Sequence, residues 1–439
     1  MSSLTPSMTP SLRRVAVASF AGTTIEFFDF FIYGTAAALV FRHVFFPALG
    51  AAAGTVAAIA TFAVAFLARP LGSVLFGRLG DRVGRKQTLI ATLLLMGLST
   101  AAVGLLPGAA SIGVAAPIVL VALRFLQGLA VGGEWGGAAL LAAEYAPPDR
   151  RGRWGMYPQL GPGIAFALAS GTFLVTGAMM SPEAFLAWGW RVPFLVSVVL
   201  VGVGLYVRLR IAETPVFREL LERQERSPAP VREAFGTGRR EILLVGGTLA
   251  AVFGGGYIGT VYVTSYATAV LKVPLSTMFG IGVVAGLVLA GVVAVAAIGS
   301  DRFGRRRMIL AGNLVMIVVG MVAFPLMDTG VVALVGLGLC LILAASGIGL
   351  GPAAAYLPEL FATRHRCTGA GSAYALAAVV GGALPPVLAP TVQASLGSTA
   401  VGAMLSALGL LGVVCGLALP ETRHRSLRGA TIRPALAEG

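Results

Sequence analysis

Charge is what this chain has least of. Only 11% of its 439 residues are Asp, Glu, Lys or Arg, and 57% are apolar; an average soluble domain is about 25% charged. A chain this long cannot cover a water-facing surface on that supply, so the solvent is lipid. Cysteine is scarce as well. Cys340, Cys367 and Cys415 are far apart, two in apolar stretches and one in a polar loop. That spacing excludes a disulfide framework and a metal-ligand cluster. The three histidines, His43, His365 and His424, all fall in loops or the tail, which excludes an intramembrane histidine relay or a haem ligand pair. Lysine is nearly missing, with 2 Lys against 30 Arg, so the choice of Arg over Lys at any one site carries little information. There is no HExxH, no GxSxG and no exposed Cys/His pair, and the Gly-rich runs lie inside apolar spans rather than after strands. Neither an enzyme nor a cofactor or metal site is expected.

What is present is repetition. The string Gly80-Asp81-Arg82-Val83-Gly84-Arg85-Lys86 returns 220 residues later as Ser300-Asp301-Arg302-Phe303-Gly304-Arg305-Arg306. That offset is half the chain, and each copy is wedged between two long hydrophobic segments, as in transporters built from internal repeats. Hydropathy predicts helices near 16–40, 54–77, 88–106, 114–143, 155–179, 190–209, 241–270, 276–298, 307–327, 331–357, 368–392 and 398–419, each near or above the ~20 residues a bilayer requires. The fold class is therefore an all-α membrane protein, twelve transmembrane helices in two pseudo-symmetric six-helix bundles at 1–211 and 241–420. A polar linker at 212–240 joins them, and 421–439 reads as a short tail without heptads.

The formal charge of +14 does not mark a nucleic-acid face, because the basic residues cluster between apolar stretches. They report orientation instead. Arg42, Arg191 and Lys272 lie in odd-numbered loops, Arg69 and Arg124 within spans, and the other 27 in the tails and even-numbered loops. The positive-inside rule then puts both termini in the cytoplasm of a cell-membrane protein. The first apolar stretch follows Arg13-Arg14, but it carries Glu26 and Asp29 and lacks a small-residue cleavage site, so it reads as a retained helix rather than a signal peptide.

An ionisable group at mid-membrane costs about 2.5 to well over 10 kcal/mol, so such groups mark function. Five stand out: Glu26, Asp29, Arg69, Arg124 and Glu134. Glu26, Asp29 and Tyr33 follow i, i+3, i+7 and share a face of the first helix, with Glu26 roughly 16 Å from its cytoplasmic end. Buried carboxylates in that position are candidate proton carriers, as is Glu134; the competing reading is permanent ion pairing with arginines. Arg124, Gln127, Val131 and Glu134 form a second stripe, expected to face the first helix across a water-filled cavity. Two readings stand for Arg124: a fork for a substrate carboxylate, or a counter-ion for Asp29. Arg69 has the depth to pair with Glu134, or it snorkels to the inner surface; Pro70 beside it argues for a kink at a cavity.

Gly128, Gly132, Gly133, Gly136 and Gly137 form small-xxx-small pairs that allow close helix approach, as do Gly282 with Gly286 and Gly347 with Gly351. In the second half Tyr257, Tyr262 and Tyr266, with Ser265, Ser346 and Tyr356, either close a substrate site from that side or form interfacial belts. Asp81 and Asp301 are placed to cap the helices that follow them. Glu144 with Arg151 and Glu359 with Arg366 are both seven apart and offset by 215, a second doubled loop pair. With Asp81, Arg82, Arg85, Asp301 and Arg302 they form a candidate inner gate, against the plainer reading of topogenic charge.

GRLGDRVGRK and SDRFGRR resemble the loop signature of the major facilitator superfamily, although Ala297 replaces the leading glycine of the second copy. TTIEFFDFFIYG, FLARPLG, RFLQGLAVGGEWGG, WGWRVPFL and RLRIAETPVF resemble the metabolite:proton symporters, bacterial carriers of shikimate, 2-oxoglutarate, citrate, proline and betaines. The resemblance implies a two-bundle rocker-switch taking up a small carboxylate-bearing metabolite or zwitterion with a proton, with Glu26, Asp29, Arg69, Arg124 and Glu134 on the family's charged positions. Gly161-Pro162-Gly163 only partly echoes the antiporter string of helix five, so proton-coupled export is the second reading. The expected partners are a small-molecule substrate and the bilayer, with no nucleic acid, and the functional unit is a monomer.

The orientation is checked by a C-terminal reporter fusion. A fluorescent-protein fusion is expected to be bright and an alkaline-phosphatase fusion inactive; the reverse pattern refutes cytoplasmic termini.

Overall fold

A computed structural model describes residues 12–83, 85–209, 238–361 and 366–425. Among these residues there are helices and no strands, and twelve helices are long and apolar enough to cross a membrane. In chain order they are α1 (Ala16–Leu39), α2 (Ala53–Phe76), α3 (Gln87–Leu105), α4 (Ala115–Gly133), α5 (Pro148–Ala178) and α6 (Gly189–Tyr206), then α7 (Arg239–Ala269), α8 (Leu275–Phe303), α9 (Arg305–Asp328), α10 (Val332–Leu360), α11 (Thr368–Leu396) and α12 (Ser398–Leu417). All twelve expected spans are present. The linker expected over 212–240 lies outside the described residues apart from 238–240, as does the tail beyond Arg425.

The packing repeats with a step of six helices. In the first bundle α2 packs on α4, α3 on α4 and α6, and α1 on α5 and α6; in the second α8 packs on α10, α9 on α10 and α12, and α7 on α11 and α12. The repeated sequence string therefore reports a repeated three-dimensional unit. The bundles meet chiefly along α5 against α8, with α2 against α11 and α1 against α7.

Glycine sets how close these helices come. A Cβ on Gly128 would collide with the Ala65 backbone, and one on Gly132 with the Arg69 backbone, so α4 presses directly on α2. Across the bundles, a Cβ on Gly163 would stand 2.6 Å from Ala290 N, and one on Gly286 2.6 Å from Gly163 O. In lipid, where apolar burial between helices gains little, such backbone contact supplies van der Waals cohesion. Of the expected glycines, Gly128, Gly132, Gly133, Gly282, Gly286, Gly347 and Gly351 are thus packing devices.

Two helices depart from α geometry. Ile258–Tyr262 in α7 and Ala378–Ala383 in α11 are π turns, each inserting an extra residue that redirects the side chains around it. Gly382 in the second lies against Phe66 and Tyr257 at the bundle interface.

Gly128→Leu is expected to lower the thermal unfolding midpoint of the detergent-purified protein, because a side chain there overpacks an α2–α4 contact worth about 1–3 kcal/mol in such cases. An unchanged midpoint would show that the helices can separate without loss.

Candidate functional site

The three polar residues of α1 are buried, as its spacing predicts, but they meet different neighbours. Asp29, 1% exposed, turns into the first bundle rather than towards the second. Its Oδ2 accepts from Thr100 Oγ1 of α3 at 2.9 Å, and its Oδ1 accepts a short hydrogen bond from Ser197 Oγ of α6. Gln127 Nε2 donates to Thr100 Oγ1 at 2.8 Å, and Arg124 Nη1 donates to Gln127 Oε1 at 3.0 Å. Arg124 and Asp29 are therefore joined through a relay of two polar side chains. The expected water-filled gap between α1 and α4 is replaced by this packed network, in which Arg124, Gln127 and Thr100 are each fully buried. The Thr100 hydroxyl has a second acceptor, Met96 O at 3.0 Å, so its one proton can leave Asp29 without losing a partner.

Aromatic rings hold the arginines. The Arg124 Cζ lies 4.0 Å from the Tyr33 ring centroid, 4.2 Å from Phe30 and 4.9 Å from Phe62. Arg69 Cζ shares the Phe30 ring at 4.8 Å and lies 4.6 Å from Phe66. Tyr33 is locked by donating to Thr61 Oγ1 at 2.8 Å. A desolvated cation–π contact contributes about 2 kcal/mol, so three rings offset a good part of the cost of burying a guanidinium. They satisfy none of its N–H groups. Nε and Nη2 of Arg124, and Nε and Nη1 of Arg69, have no hydrogen-bond partner among the described residues. Arg69 is 2% exposed, which overturns snorkelling. The side chain of Glu134, its expected partner, lies outside the described residues, as do those of Glu144, Asp81, Arg82 and Arg85.

Tyr257 of α7 closes this aromatic box from the second bundle, 4.9 Å from Phe66 and 5.4 Å from Phe30, with its hydroxyl beside Arg69 but making no well-aligned hydrogen bond among the described residues. Glu26, Arg69 and Arg124 all act on that hydroxyl electrostatically. On its other side is a cavity of about 40 Å³ between the bundles, lined by Phe27, Phe31, Pro162, Tyr257, Ser346 and Tyr374 among others. It exceeds the ~15 Å³ that one water needs, and neither arginine lines it. Tyr262 and Tyr266 do not join Tyr257. They pack on Phe324 within the second bundle, and Tyr266 donates a short hydrogen bond to Asp328, so of the three tyrosines grouped from sequence it is Tyr257 that reaches the aromatic box.

The arginine-rich face is latched by charge. Arg151 Nη1 lies 3.3 Å from Glu359 Oε1, Arg305 Nε lies 3.7 Å from Glu359 Oε2, and Arg305 Nη1 lies 2.7 Å from Asp301 Oδ1. Asp301 Oδ1 and Oδ2 also accept from the backbone N–H of Gly152 and Arg153, each at 2.8 Å. Four expectations change here. Asp301 lies in the last turn of α8 and caps α5 of the other bundle, not the helix that follows it; that helix, α9, is capped by Glu421, which accepts from Arg305 N and Arg306 N. Glu359 belongs to α10 rather than to a loop and reaches across to Arg151. Arg366 donates to Phe361 O at 3.2 Å, and Arg302 is exposed and stacks on Phe303. Gly304, at φ +106°, lets the chain break between α8 and α9 and bring the repeat's arginines under the bundle. At the opposite face Phe173 of α5 stacks on Phe279 of α8 at 5.5 Å.

A profile described as sugar (and other) transporter matches residues 15–239 and 218–432. The chain belongs to that family, within the major facilitator superfamily. The transporter is 44% identical to the inner membrane metabolite transport protein YhjE of Escherichia coli over 95% of this chain and 96% of that protein. It is 38% identical to the shikimate transporter of E. coli over 86% and 87% of the two chains. It is 33% identical to the E. coli proline/betaine transporter over 96% and 86%. The fold matches the proton:xylose symporter XylE bound to 6-bromo-6-deoxy-D-glucose, with TM-score 0.74, 18% identity, and 95% and 97% of the two chains covered. The transporter is thus a membrane carrier of small metabolites and not an enzyme.

Sequence reasoning missed Thr100, Ser197, Phe30, Phe62, Phe66, Arg305, Glu421 and Thr422. Arg305 was visible inside the repeated string; the hydroxyls and rings carry no signal against an apolar background. Glu359→Gln removes the carboxylate that Arg151 and Arg305 share, leaving Arg305 only Asp301, a loss of about 3–5 kcal/mol for such pairs. It is expected to open the arginine-rich face, read as faster labelling of a cysteine placed at Ala354 beside Gly155; wild-type labelling would show that the latch does not hold this face.

Proposed function

We propose that this transporter is a proton-coupled symporter that takes up a small carboxylate-bearing metabolite or zwitterion by alternating access, in the cell membrane with both termini cytoplasmic. The observation that carries this reading is a pair of buried guanidiniums with unused N–H donors, connected by a polar relay to a buried carboxylate. Each unsatisfied buried donor costs about 1–3 kcal/mol, and a carboxylate bound there recovers it in charge-assisted hydrogen bonds. Shikimate, proline and betaine, the solutes in the names of two relatives, all bear a carboxylate.

Coupling follows from electrostatics along the relay. Before substrate binds, Arg124 is coupled to Asp29 through Gln127 and Thr100. A substrate carboxylate on Arg124 neutralises its charge, draws Nη1 from Gln127, and frees the Thr100 proton to turn to Met96 O. Asp29 then binds a proton to remain in its buried setting. Substrate and proton thus promote each other's binding, a reciprocity that linkage requires. Glu26, Tyr257 and Arg69 complete the site from the side facing the second bundle, and Glu134 adds a second candidate proton carrier.

Transport then requires the two faces to open in turn. Arg151, Asp301, Arg305 and Glu359 close the arginine-rich face and separate as the bundles rock; Asp81, Arg82, Arg85 and Glu144 serve the symmetry-related position. The π turns of α7 and α11 lie where Tyr257 and Gly382 must slide past Phe66.

Proteoliposomes with an imposed inward proton gradient test the reading. Shikimate, proline and betaine are the substrates offered. Wild-type protein is expected to accumulate at least one of them inside and to alkalinise the outside. Asp29→Asn is expected to lose gradient-driven accumulation while retaining counterflow, and undiminished accumulation in that variant removes Asp29 from coupling. Arg124→Lys is expected to raise KM about tenfold with expression unchanged, since a point charge cannot reproduce a planar fork. Accumulation driven only by an outward gradient would mean exchange and export.

A further inference from the structure

We infer that the arginine-rich face holds a second binding site, specific for a phosphate group, that clamps the two bundles together on that side. A cavity of about 360 Å³ opens where the start of α5, the end of α8, the start of α9 and the segment after α12 converge. Arg151, Arg305, Arg423 and Arg425 line it, against the acids Asp149 and Asp301. It is many times the ~15 Å³ that a water requires and lies apart from the central aromatic box, sharing no residue with it.

Two observations among the described residues point to an anion as the ligand. Arg305 is fully buried, and although its Nη1 serves Asp301 at 2.7 Å, its Nη2 has no partner. Arg151, 4% exposed, spends Nη1 on Glu359 and on Arg425 O at 2.8 Å, while its Nε has none. Both residues line the cavity, and buried guanidinium donors without partners are unusual, because each costs as much as a lost hydrogen bond. Glu359, which faces both arginines, has its Oε2 engaged by Thr422 Oγ1 at 2.6 Å, so that with Asp149 and Asp301 three carboxylates stand against the four guanidiniums of Arg151, Arg305, Arg423 and Arg425. The balance among the groups described here is positive, and planar forks arranged around one space suit a tetrahedral dianion or a phosphodiester.

The position gives such a ligand an effect. Arg151 and Asp149 come from the first bundle and the other four from the second. A phosphate bridging Arg151 to Arg305 and Arg425 favours the conformation in which this face is shut, and it must leave before the face opens. The chemistry is shared by inorganic phosphate, by soluble phosphate esters and by the headgroup of an anionic phospholipid.

Full-length transporter in nanodiscs of phosphatidylcholine, titrated with inorganic phosphate and followed by thermal unfolding, tests this. A saturable rise in midpoint, absent with chloride of equal ionic strength, is expected if a soluble phosphate is the ligand. If the headgroup is the ligand, the rise appears instead when phosphatidylglycerol is added to the nanodisc. In either arm Arg423→Gln with Arg425→Gln should weaken the effect about tenfold. Asp149→Asn, an exposed change that leaves the packing intact, should strengthen it about threefold. No rise in either arm, or a rise equal in wild type and in every variant that folds, overturns the proposal.

Discussion

An arginine held in the middle of an apolar bundle, with no acid in contact among the described residues, is the constraint from which the rest of this molecule is arranged. Arg124 could be neutralised most cheaply by an adjacent carboxylate, and Asp29 is on the neighbouring helix. The structure instead spaces them by Gln127 and Thr100 and wraps the guanidinium in Tyr33, Phe30 and Phe62. Rings compensate for lost hydration without occupying the donors, whereas a carboxylate would have done both. A cation so held keeps its N–H groups for a ligand.

The same economy governs the bundle interface. Along α5 and α8 glycines bring backbones together without side-chain interlocking, and around Tyr257 the contacts are ring edges on ring faces. Such surfaces slide and rotate at small cost. The strong interactions are kept at the arginine-rich end, where Glu359 serves arginines from both bundles and Asp301 caps a helix of the opposite one. Mobile centre and charged latch are two aspects of one design, since rocking needs a pivot that does not bind tightly and an end that does.

Much of this was legible in the chain. Period and hydropathy located all twelve helices, because a span in lipid must be long and apolar whatever it packs against. The buried ions were legible because they are costly in that solvent: Asp29, Arg69 and Arg124 stand out against uncharged neighbours. Their partners were not. Thr100 and Ser197 are two hydroxyls among many that otherwise bond their own helix, and nothing local distinguishes them. The pairing of Arg151 with Glu359, 208 residues away, was hidden because the equal spacing of Glu144–Arg151 and Glu359–Arg366 suggested pairs within each half, while the fold crosses them. Tyr257, Tyr262 and Tyr266 look equivalent in sequence, yet the π turn at Ile258–Tyr262 separates the first from the other two.

Sequence by itself determined that this protein lives in lipid, crosses it twelve times, repeats at half-length and carries ionisable groups where they are expensive. Those are properties of segments and solvent, and they need no knowledge of neighbours. The tertiary structure alone decided which groups meet: that Asp29 looks into its own bundle, that the rings of Tyr33, Phe30 and Phe62 surround Arg124, and that the latch is drawn from both halves. Such contacts depend on how helices rotate and cross, which is set by glycine-mediated backbone approach between segments far apart in the chain.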